Sequence, residues 1–422
     1  MRLLVYSMLF PNAVAPHHGV FVKERLLRYR ERHGAEITVV APVVRAMPFG
    51  PARWRESAAV PAEEVLDGLR VVHPRFLAVP VVGDRCRVAL MAAGSAHALL
   101  DEALRFQPTV LDVHYAWPDG AAAVRLRPRL EAALHRRLPL VLTARGTDLN
   151  LSARDPRLRP QVAAALAGAD HVVCVADALR EVALSLGVPP ARATTLRNGV
   201  DVRRFTPGDR AAARAACGLP AAGRVLLCVG HLIERKGQHL LLEAFARVFG
   251  GAAGGPRAGA RAGAGSPPAA ASGGQPPAGE PPLLVLVGRG EGEERLRAQV
   301  ARLGLGERVR FAGAVAPAAL PAWYRAADAL VLPSLREGWP NVVLEALACG
   351  TPVLATAVWG TPEILRGCAA GLLVQASAEG LADGLRRLPE LRAEAARPWA
   401  EARTWDATLD GMHDVFVAVS RA

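Results

Sequence analysis

The stretch Leu330-Val-Leu-Pro-Ser-Leu-Arg-Glu337-Gly-Trp-Pro-Asn341-Val-Val-Leu-Glu345-Ala-Leu-Ala-Cys-Gly350-Thr-Pro-Val353 reads as a strand, a loop, a helix and the start of a further strand. The apolar run Leu330–Leu332 stops at Pro333, which has no amide to give to a strand ladder. Pro340-Asn341 opens the helix, because the fixed φ of proline suits a first helical turn. Ligands of open parallel sheets sit at the carboxyl ends of the strands. The free amides of Asn341, Val342 and Val343 are therefore expected to point at a phosphate, helped by the helix dipole. Glu337 hangs ahead of that helix and Glu345 lies one turn inside it. Two carboxylates so placed can each grip a pair of vicinal hydroxyls, one pair on a hexose and one on a ribose. Spacing alone leaves a plainer reading equally open, in which both acids are solvated at a helix start, where negative charge is favoured anyway.

Outward from this stretch, short apolar β-branched runs alternate with longer helical patterns, the mark of an α/β protein with parallel sheets covered on both faces. In the first half, strands are predicted at Leu3–Ser7, Ile37–Ala41, Val110–Val113, Leu140–Thr143, His171–Val175 and Thr194–Leu196, with helices at Gly19–His33, Arg87–Phe106 and Asp177–Leu186. The pattern restarts with strands at Val225–Gly230, Leu283–Val287, Val309–Phe311, Leu330–Leu332 and Val353–Ala355, and helices at Gln238–Phe249, Glu291–Leu303 and Asn341–Cys349. Turn-formers at Asn198-Gly199-Val200-Asp201 and Thr206-Pro207-Gly208-Asp209 place a boundary near residue 205. Two doubly wound domains follow, 1–205 and 206–399, with a last helix near Asp406–Val419, inside 400–422, crossing back onto the first. Residues 250–282 are almost wholly Gly, Ala, Pro, Ser and Arg without periodicity, and read as a disordered insertion in the second domain.

A length of 422 residues suits two domains, and 51% apolar content excludes a disordered chain. No apolar run is long enough to span a membrane. The start, Met1-Arg2 with an apolar stretch to Phe10, imitates a secretory signal but is interrupted at Pro11-Asn12, and reads better as a buried first strand. Cys86, Cys174, Cys217, Cys228, Cys349 and Cys368 show no CxxC spacing and read as reduced residues of a cytoplasmic protein. The net charge of +12 comes almost entirely from arginine; only Lys23 and Lys236 are lysines. Dispersed arginines, few aromatics and no recognised motif argue against nucleic acid. An anionic membrane surface on the cytoplasmic side, or an acidic lipid-linked acceptor, fits the charge, as does a merely solvated basic face.

Glu337 and Glu345, with seven residues between them, resemble the EX7E motif of the large family of retaining glycosyltransferases known as family 4. The resemblance extends in order to Arg197-Asn-Gly-Val-Asp201 with Phe205, Val229-Gly-His-Leu-Ile-Glu-Arg-Lys236-Gly, Val287-Gly-Arg289-Gly-Glu-Gly with Leu296, Phe311-Ala-Gly-Ala-Val315, Gly360-Thr-Pro-Glu363 and Gly371-Leu-Leu-Val. It implies the GT-B fold, two Rossmann-like domains facing a central cleft, and a nucleotide diphosphate sugar as co-substrate with neither cofactor nor metal. By the same resemblance Glu337 binds the donor hexose, Glu345 the ribose, and Lys236 the diphosphate leaving group. Val315 and its neighbours offer backbone groups to the base, and Arg289 belongs to the same donor set. In the first domain, the Pro16-His-His-Gly19 loop enters a helix whose amides face the diphosphate or the acceptor. His17-His18 has no carboxylate partner or HExxH spacing and is not read as a metal pair.

The chain departs from the family pattern twice. His231 stands where the family usually has arginine, so the phosphate clamp shifts to Arg235 or Lys236. Arg145, in Thr143-Ala-Arg-Gly-Thr-Asp148, replaces the histidine of a THGxD-like segment, and is expected to hold an acidic acceptor or a phosphate. His114, in Asp112-Val-His-Tyr-Ala-Trp-Pro-Asp119, is the alternative crevice histidine, expected to face the acceptor. No DxD triplet occurs. The reading is metal-independent transfer of a hexosyl unit to a glycan or lipid-linked glycan in cell-surface polysaccharide assembly. Its rivals are a nucleotide-sugar 2-epimerase and a catalytically inactive nucleotide-sugar-binding protein. Deleting residues 252–280 should leave both fold and activity largely intact, since that composition offers nothing to bury; loss of cooperative thermal unfolding in the deletion variant would show that the segment is structural.

Overall fold

The computed structural model describes residues 1–45, 57–78, 83–250 and 280–421. It divides into two compact units, Met1–Gly199 with Trp405–Ala422, and Val200–Thr404. The join at Gly199 falls in the first of the two turn-forming segments, a few residues before the position near 205 read from the sequence.

The first unit contains β1 (Arg2–Tyr6), β2 (Glu36–Val40), β3 (Val43–Val44), β4 (Glu63–Leu66), β5 (Leu69–Val72), β6 (Arg75–Phe76), β7 (Val110–His114), β8 (Leu140–Ala144), β9 (His171–Cys174) and β10 (Ala193–Thr195). Eight strands form one sheet in the order β10-β9-β8-β7-β1-β2-β5-β4, while β3 pairs with β6 apart from it. All its pairs are parallel except β4–β5, a hairpin turned at Asp67-Gly68 with φ of 52° and 75°. This two-residue turn matches the twist of the strands it joins.

Helix Val20–His33 carries Val22, Leu26 and Tyr29 on one face, the i, i+4, i+7 spacing that buries a stripe. It packs with Leu3, Val5 and Val110 of the sheet and with Leu409, Met412 and Phe416 of the last helix, Asp406–Arg421. Phe416 meets the Tyr29 ring edge-on at 5.4 Å. Arg32 also forks onto Asp410 at 2.6 and 2.7 Å. That pair is exposed to solvent, which screens it. Each buried Leu, Met or Phe contributes about 1.5–3 kcal/mol, so the apolar seam holds the last helix.

The second unit contains β11 (Val225–Val229), β12 (Leu283–Val287), β13 (Val309–Gly313), β14 (Ala329–Leu332), β15 (Val353–Thr356) and β16 (Gly371–Val374). They form one parallel sheet in the order β13-β12-β11-β14-β15-β16. Leu241, Leu242 and Phe245 of helix Gln238–Phe249 join Leu226, Leu284 and Leu286 in its core. The expected insertion at 250–282 falls almost wholly outside the described residues.

Both sheets reverse their winding direction at one place. The first unit runs from β1 to β2 on one side and later returns to β7 on the other; the second runs from β11 to β12 and returns to β14. Crossovers that diverge in this way open the sheet's carboxyl edge between the two central strands, and there ligands of such sheets sit. Among the described residues no helix is long and apolar enough to cross a membrane. All six cysteines are free, with Cys86 exposed and the others buried. Burial pushes the Cys228 and Cys349 thiols up to about 12.

Candidate active site

In the second unit the divergence point lies between the loops that follow β11 and β14. The β11 loop ends in a tight turn, Glu234–Lys236, capped by Gly237 at φ 68°. A Cβ at Gly237 would stand 2.0 Å from the Pro333 carbonyl oxygen, so only glycine lets this turn rest on the end of β14. Leu335 N–H then donates to the Arg235 carbonyl at 2.9 Å. With the two backbones joined, the Lys236 ammonium reaches Glu337 Oε1 at 2.6 Å. Ser334 Oγ donates to the same oxygen at 2.6 Å. Glu337 is buried, and the ammonium and the hydroxyl both stabilise its enclosed carboxylate. Gly288 works as Gly237 does: its φ is 140° and a Cβ would meet the Gly230 carbonyl oxygen at 2.0 Å, which keeps the β11 and β12 loops in contact.

Helix Asn341–Ala348 begins at Pro340. Asn341 and Val342 are partly buried at its first turn. Val343 differs from the sequence-based expectation of a free amide: its N–H donates to the Pro340 carbonyl at 3.1 Å, because a residue at the third helical position can close a turn onto the cap. Glu345, four residues after Asn341, lies on the same side of the helix. Its Oε2 accepts a hydrogen bond from the Tyr324 hydroxyl at 2.7 Å. His231 is exposed, and its carbonyl accepts from Gln238 Nε2 at 2.9 Å. Arg235 and Val315 are partly buried, and Arg289 is exposed beyond β12, its carbonyl accepting from Leu232 N–H at 3.0 Å. Ser334 and Tyr324 were not anticipated from the sequence.

The first unit presents His114 at the end of β7 and Arg145 just after β8. His114 is fully buried, where a crevice-facing ring was expected. Every residue of β7 is buried; Val110, on the same face of the strand as Asp112 and His114, packs with Val22 and Leu26 of helix Val20–His33, and the charge of Arg25 on that helix acts on Asp112. An Arg145 guanidinium nitrogen donates to His114 Nδ1 at 3.0 Å, and another reaches Asn198 Oδ1 at 3.4 Å. The guanidinium also lies 5.4 Å from the centre of the Phe21 ring. Asp112 Oδ2 stands 3.3 Å from His114 Nε2. Asp148 accepts the amides of Ala116 at 3.0 Å and Gly146 at 2.8 Å, shaping the turn that carries Arg145. Gly19, buried, caps helix Val20–His33, and its carbonyl accepts from Val22 N–H at 2.9 Å.

Burial dominates the electrostatics of this group. It lowers His114 to about 4, reinforced by the Arg145 charge, so the ring is neutral at physiological pH. Burial lowers Arg145 to about 10, still cationic, and pulls Arg25 well down, with Arg145 adding repulsion. For Asp112 burial pushes upward, but His114 and the two guanidiniums outweigh it and hold the carboxyl below its ordinary range. Burial raises Asp119, whose carboxylate accepts the Met8 amide, to about 7. Among the described residues no group of three or more His, Cys, Asp or Glu side chains could hold a metal ion.

Two family models match this chain: "Glycosyltransferase Family 4" over residues 22–204 and "Glycosyl transferases group 1" over 275–405. A D-inositol 3-phosphate glycosyltransferase of Geodermatophilus obscurus is 32% identical over 385 residues, 85% of this chain and 78% of the relative. The chain belongs to the family 4 glycosyltransferases. The same-named protein of Rhodococcus erythropolis is 31% identical over 390 residues, covering 85% and 79% of the two chains. Solved structures agree on the GT-B fold of this glycosyltransferase. Sucrose-phosphate synthase from Thermosynechococcus elongatus aligns with a TM-score of 0.73 at 20% identity, over 99% of this chain and 98% of its own. WaaG, a glycosyltransferase involved in lipopolysaccharide biosynthesis, aligns at 0.68 and 18%, over 99% of each. An Anabaena protein, HepE, in complex with UDP-glucose aligns at 0.65 and 18%, also over 99% of each.

The buried histidine of this glycosyltransferase gives its stability an acid dependence. His114 takes up its proton only near pH 4 when folded, against an ordinary value of 6.5. Between those values the unfolded chain binds more protons, so stability falls as the pH drops through the window. The stability advantage of the natural chain over His114→Gln should therefore shrink by on the order of 2 kcal/mol between pH 7 and 4.5, read from denaturant midpoints. Asp119 titrates in both proteins and cancels in the difference; a gap that does not change with pH would refute the neutral, enclosed ring.

Proposed function

We propose that this glycosyltransferase moves a hexosyl unit from a nucleoside diphosphate hexose to a hydroxyl acceptor, with retention at the anomeric carbon and without a divalent metal. One observation carries the reading: Lys236 and Glu337, 101 residues apart, meet at 2.6 Å at the carboxyl edge between β11 and β14. Breaking the bond between the anomeric carbon and the diphosphate builds negative charge on the leaving oxygen, and a fixed ammonium is the group that stabilises it. Glu337, held by Lys236 and Ser334, presents a carboxylate to hexose hydroxyls. Asn341 and Val342 offer the first-turn amides to the diphosphate, Glu345 takes the ribose, and Val315 lies toward the base. Arg235, Arg289 and His231 complete the donor set. We infer front-face departure: the acceptor oxygen bonds to the anomeric carbon as the diphosphate leaves, and the diphosphate takes the acceptor proton.

His114 and Arg145 are the acceptor-side residues of this reading, with Arg145 as the cation and His114 holding its orientation. The relatives named D-inositol 3-phosphate glycosyltransferase favour a small phosphorylated cyclitol as acceptor; the sequence reading favours a glycan or lipid-linked glycan. Peripheral contact with an anionic membrane on the cytoplasmic side belongs to the same proposal, supported by the net charge of +12.

The test is release of nucleoside diphosphate from a panel of donors in excess EDTA, with inositol phosphate in one arm and a lipid-linked glycan in the other. Turnover should survive EDTA. Lys236→Ala and Glu337→Gln should each lower turnover by about two to three orders of magnitude while the chain stays folded. Lys236→Arg should recover only part, because a planar fork cannot occupy the point of an ammonium. Activity abolished by EDTA and restored by Mn²⁺ or Mg²⁺ would overturn the metal-free assignment, and near-normal turnover in Glu337→Gln would remove that residue from the site.

A further inference from the structure

The Tyr324 hydroxyl that reaches Glu345 from the neighbouring helix has no part in the reaction just described. Tyr324 lies in helix Leu320–Ala326, fully buried. Its backbone carbonyl accepts a hydrogen bond from Thr351 Oγ1 at 2.7 Å. The Phe205 ring stands against its ring, with centroids 6.0 Å apart and planes at 61°. Backbone and ring are thus fixed from two sides, which leaves the hydroxyl aimed at Glu345 Oε2, 2.7 Å away. Glu345 itself is only partly buried. The protein therefore orients this carboxylate through Oε2.

We propose that Tyr324 is a positioning residue that locks the Glu345 carboxylate in the plane needed to accept both ribose hydroxyls, and so makes the donor site select ribonucleotides over deoxyribonucleotides. The proposal rests on the reading of Glu345 as the ribose ligand. A free glutamate carboxylate turns about its last bond with little preference. Gripping two vicinal hydroxyls requires one orientation, and fixing it beforehand removes the cost of ordering at the moment of binding. Tyrosine suits the task because it is rigid and donates one proton. Burial, then the Glu345 charge, raises the Tyr324 hydroxyl well above its ordinary value, so it stays a donor across the working pH range. A deoxynucleotide offers one hydroxyl fewer and gains less from the prepared plane.

The experiment is calorimetric titration of the full chain with UDP and 2′-deoxy-UDP, and with GDP and 2′-deoxy-GDP, for the natural protein, Tyr324→Phe and Glu345→Gln. The natural protein should prefer the ribonucleotide of whichever pair it binds. Tyr324→Phe should reduce that preference about fivefold to tenfold, chiefly by weakening the ribonucleotide, with the deoxynucleotide affinity little changed. The ratio is measured on one sample, so partial unfolding of the variant lowers the active fraction without moving it. If Glu345→Gln abolishes the preference and Tyr324→Phe leaves it intact, Glu345 is the ribose ligand and the proposal for Tyr324 is overturned. If Glu345→Gln leaves the preference intact, or the natural protein has none, the ribose reading falls and the proposal with it.

Discussion

The close approach of Gly237 to the Pro333 carbonyl is the constraint on which the geometry around Lys236 and Glu337 depends. Two loops that follow neighbouring strands would ordinarily be kept apart by their side chains. Removing one Cβ allows main chain to lie on main chain, and the Leu335–Arg235 hydrogen bond then sets the loops in register. Lys236 follows from that register: an ammonium on four flexible carbons needs a fixed root to stay on one carboxylate oxygen. Glu337 has the mirror-image need, since Lys236 and Ser334 offset the cost of burying its carboxylate. Backbone contact, ion pair and burial thus support one another, so a change in any one of them disturbs the rest.

The first unit handles charge differently. Asp112, His114, Arg145 and Arg25 lie inside the protein, where a pair brought out of water stabilises little and often costs more than an apolar replacement of equal volume. Their neutral histidine and shared carboxylate read as a device for fixing direction. Arg145 is held from several sides, by His114, by Asn198, by the Phe21 ring and by a turn built on Asp148 amide contacts. A guanidinium restrained in this way presents its charge along a fixed line.

Much of this was legible in the sequence, and what was missed has identifiable physical causes. Strands buried on both faces read clearly: β7, β11, β12, β14 and β15 were placed within a residue or so, because Pro, Gly and charged residues bound their apolar runs. The β4–β5 hairpin was overlooked although Asp67-Gly68 is a strong turn signal, since Glu63-Glu64 and Arg70 make its strands look like loop. Strand β16 was noticed only as a motif, and helices such as Ala121–Leu134 and Arg159–Ala167 are so rich in alanine that their periodicity is faint. Around the Lys236–Glu337 pair, both residues were singled out by the family resemblance, and Lys236 also by the rarity of lysine. Ser334 and Tyr324 were not, because a hydroxyl aimed at a carboxylate from another element leaves no pattern along the chain. Two signals in the first unit could have been used. Asp112 interrupts an otherwise apolar strand, and Arg25 sits among Val22, Leu26 and Tyr29 on the inward face of its helix, both marks of a charged group inside the protein.

The last helix carries a consequence for how the molecule is made. Trp405, Leu409, Met412, Val415, Phe416 and Val419 belong to the core of the first unit, yet they are synthesised after the whole of residues 200–404. Residues 200–404 form a contiguous unit that can mature during synthesis, as domains do. The amino-terminal part must wait, its seam beside helix Val20–His33 open until Trp405–Val419 has been made. Assembly of the first unit is therefore gated by synthesis of the second, and a chain cut short just after residue 404 carries a complete second unit and a first unit whose seam is unsealed.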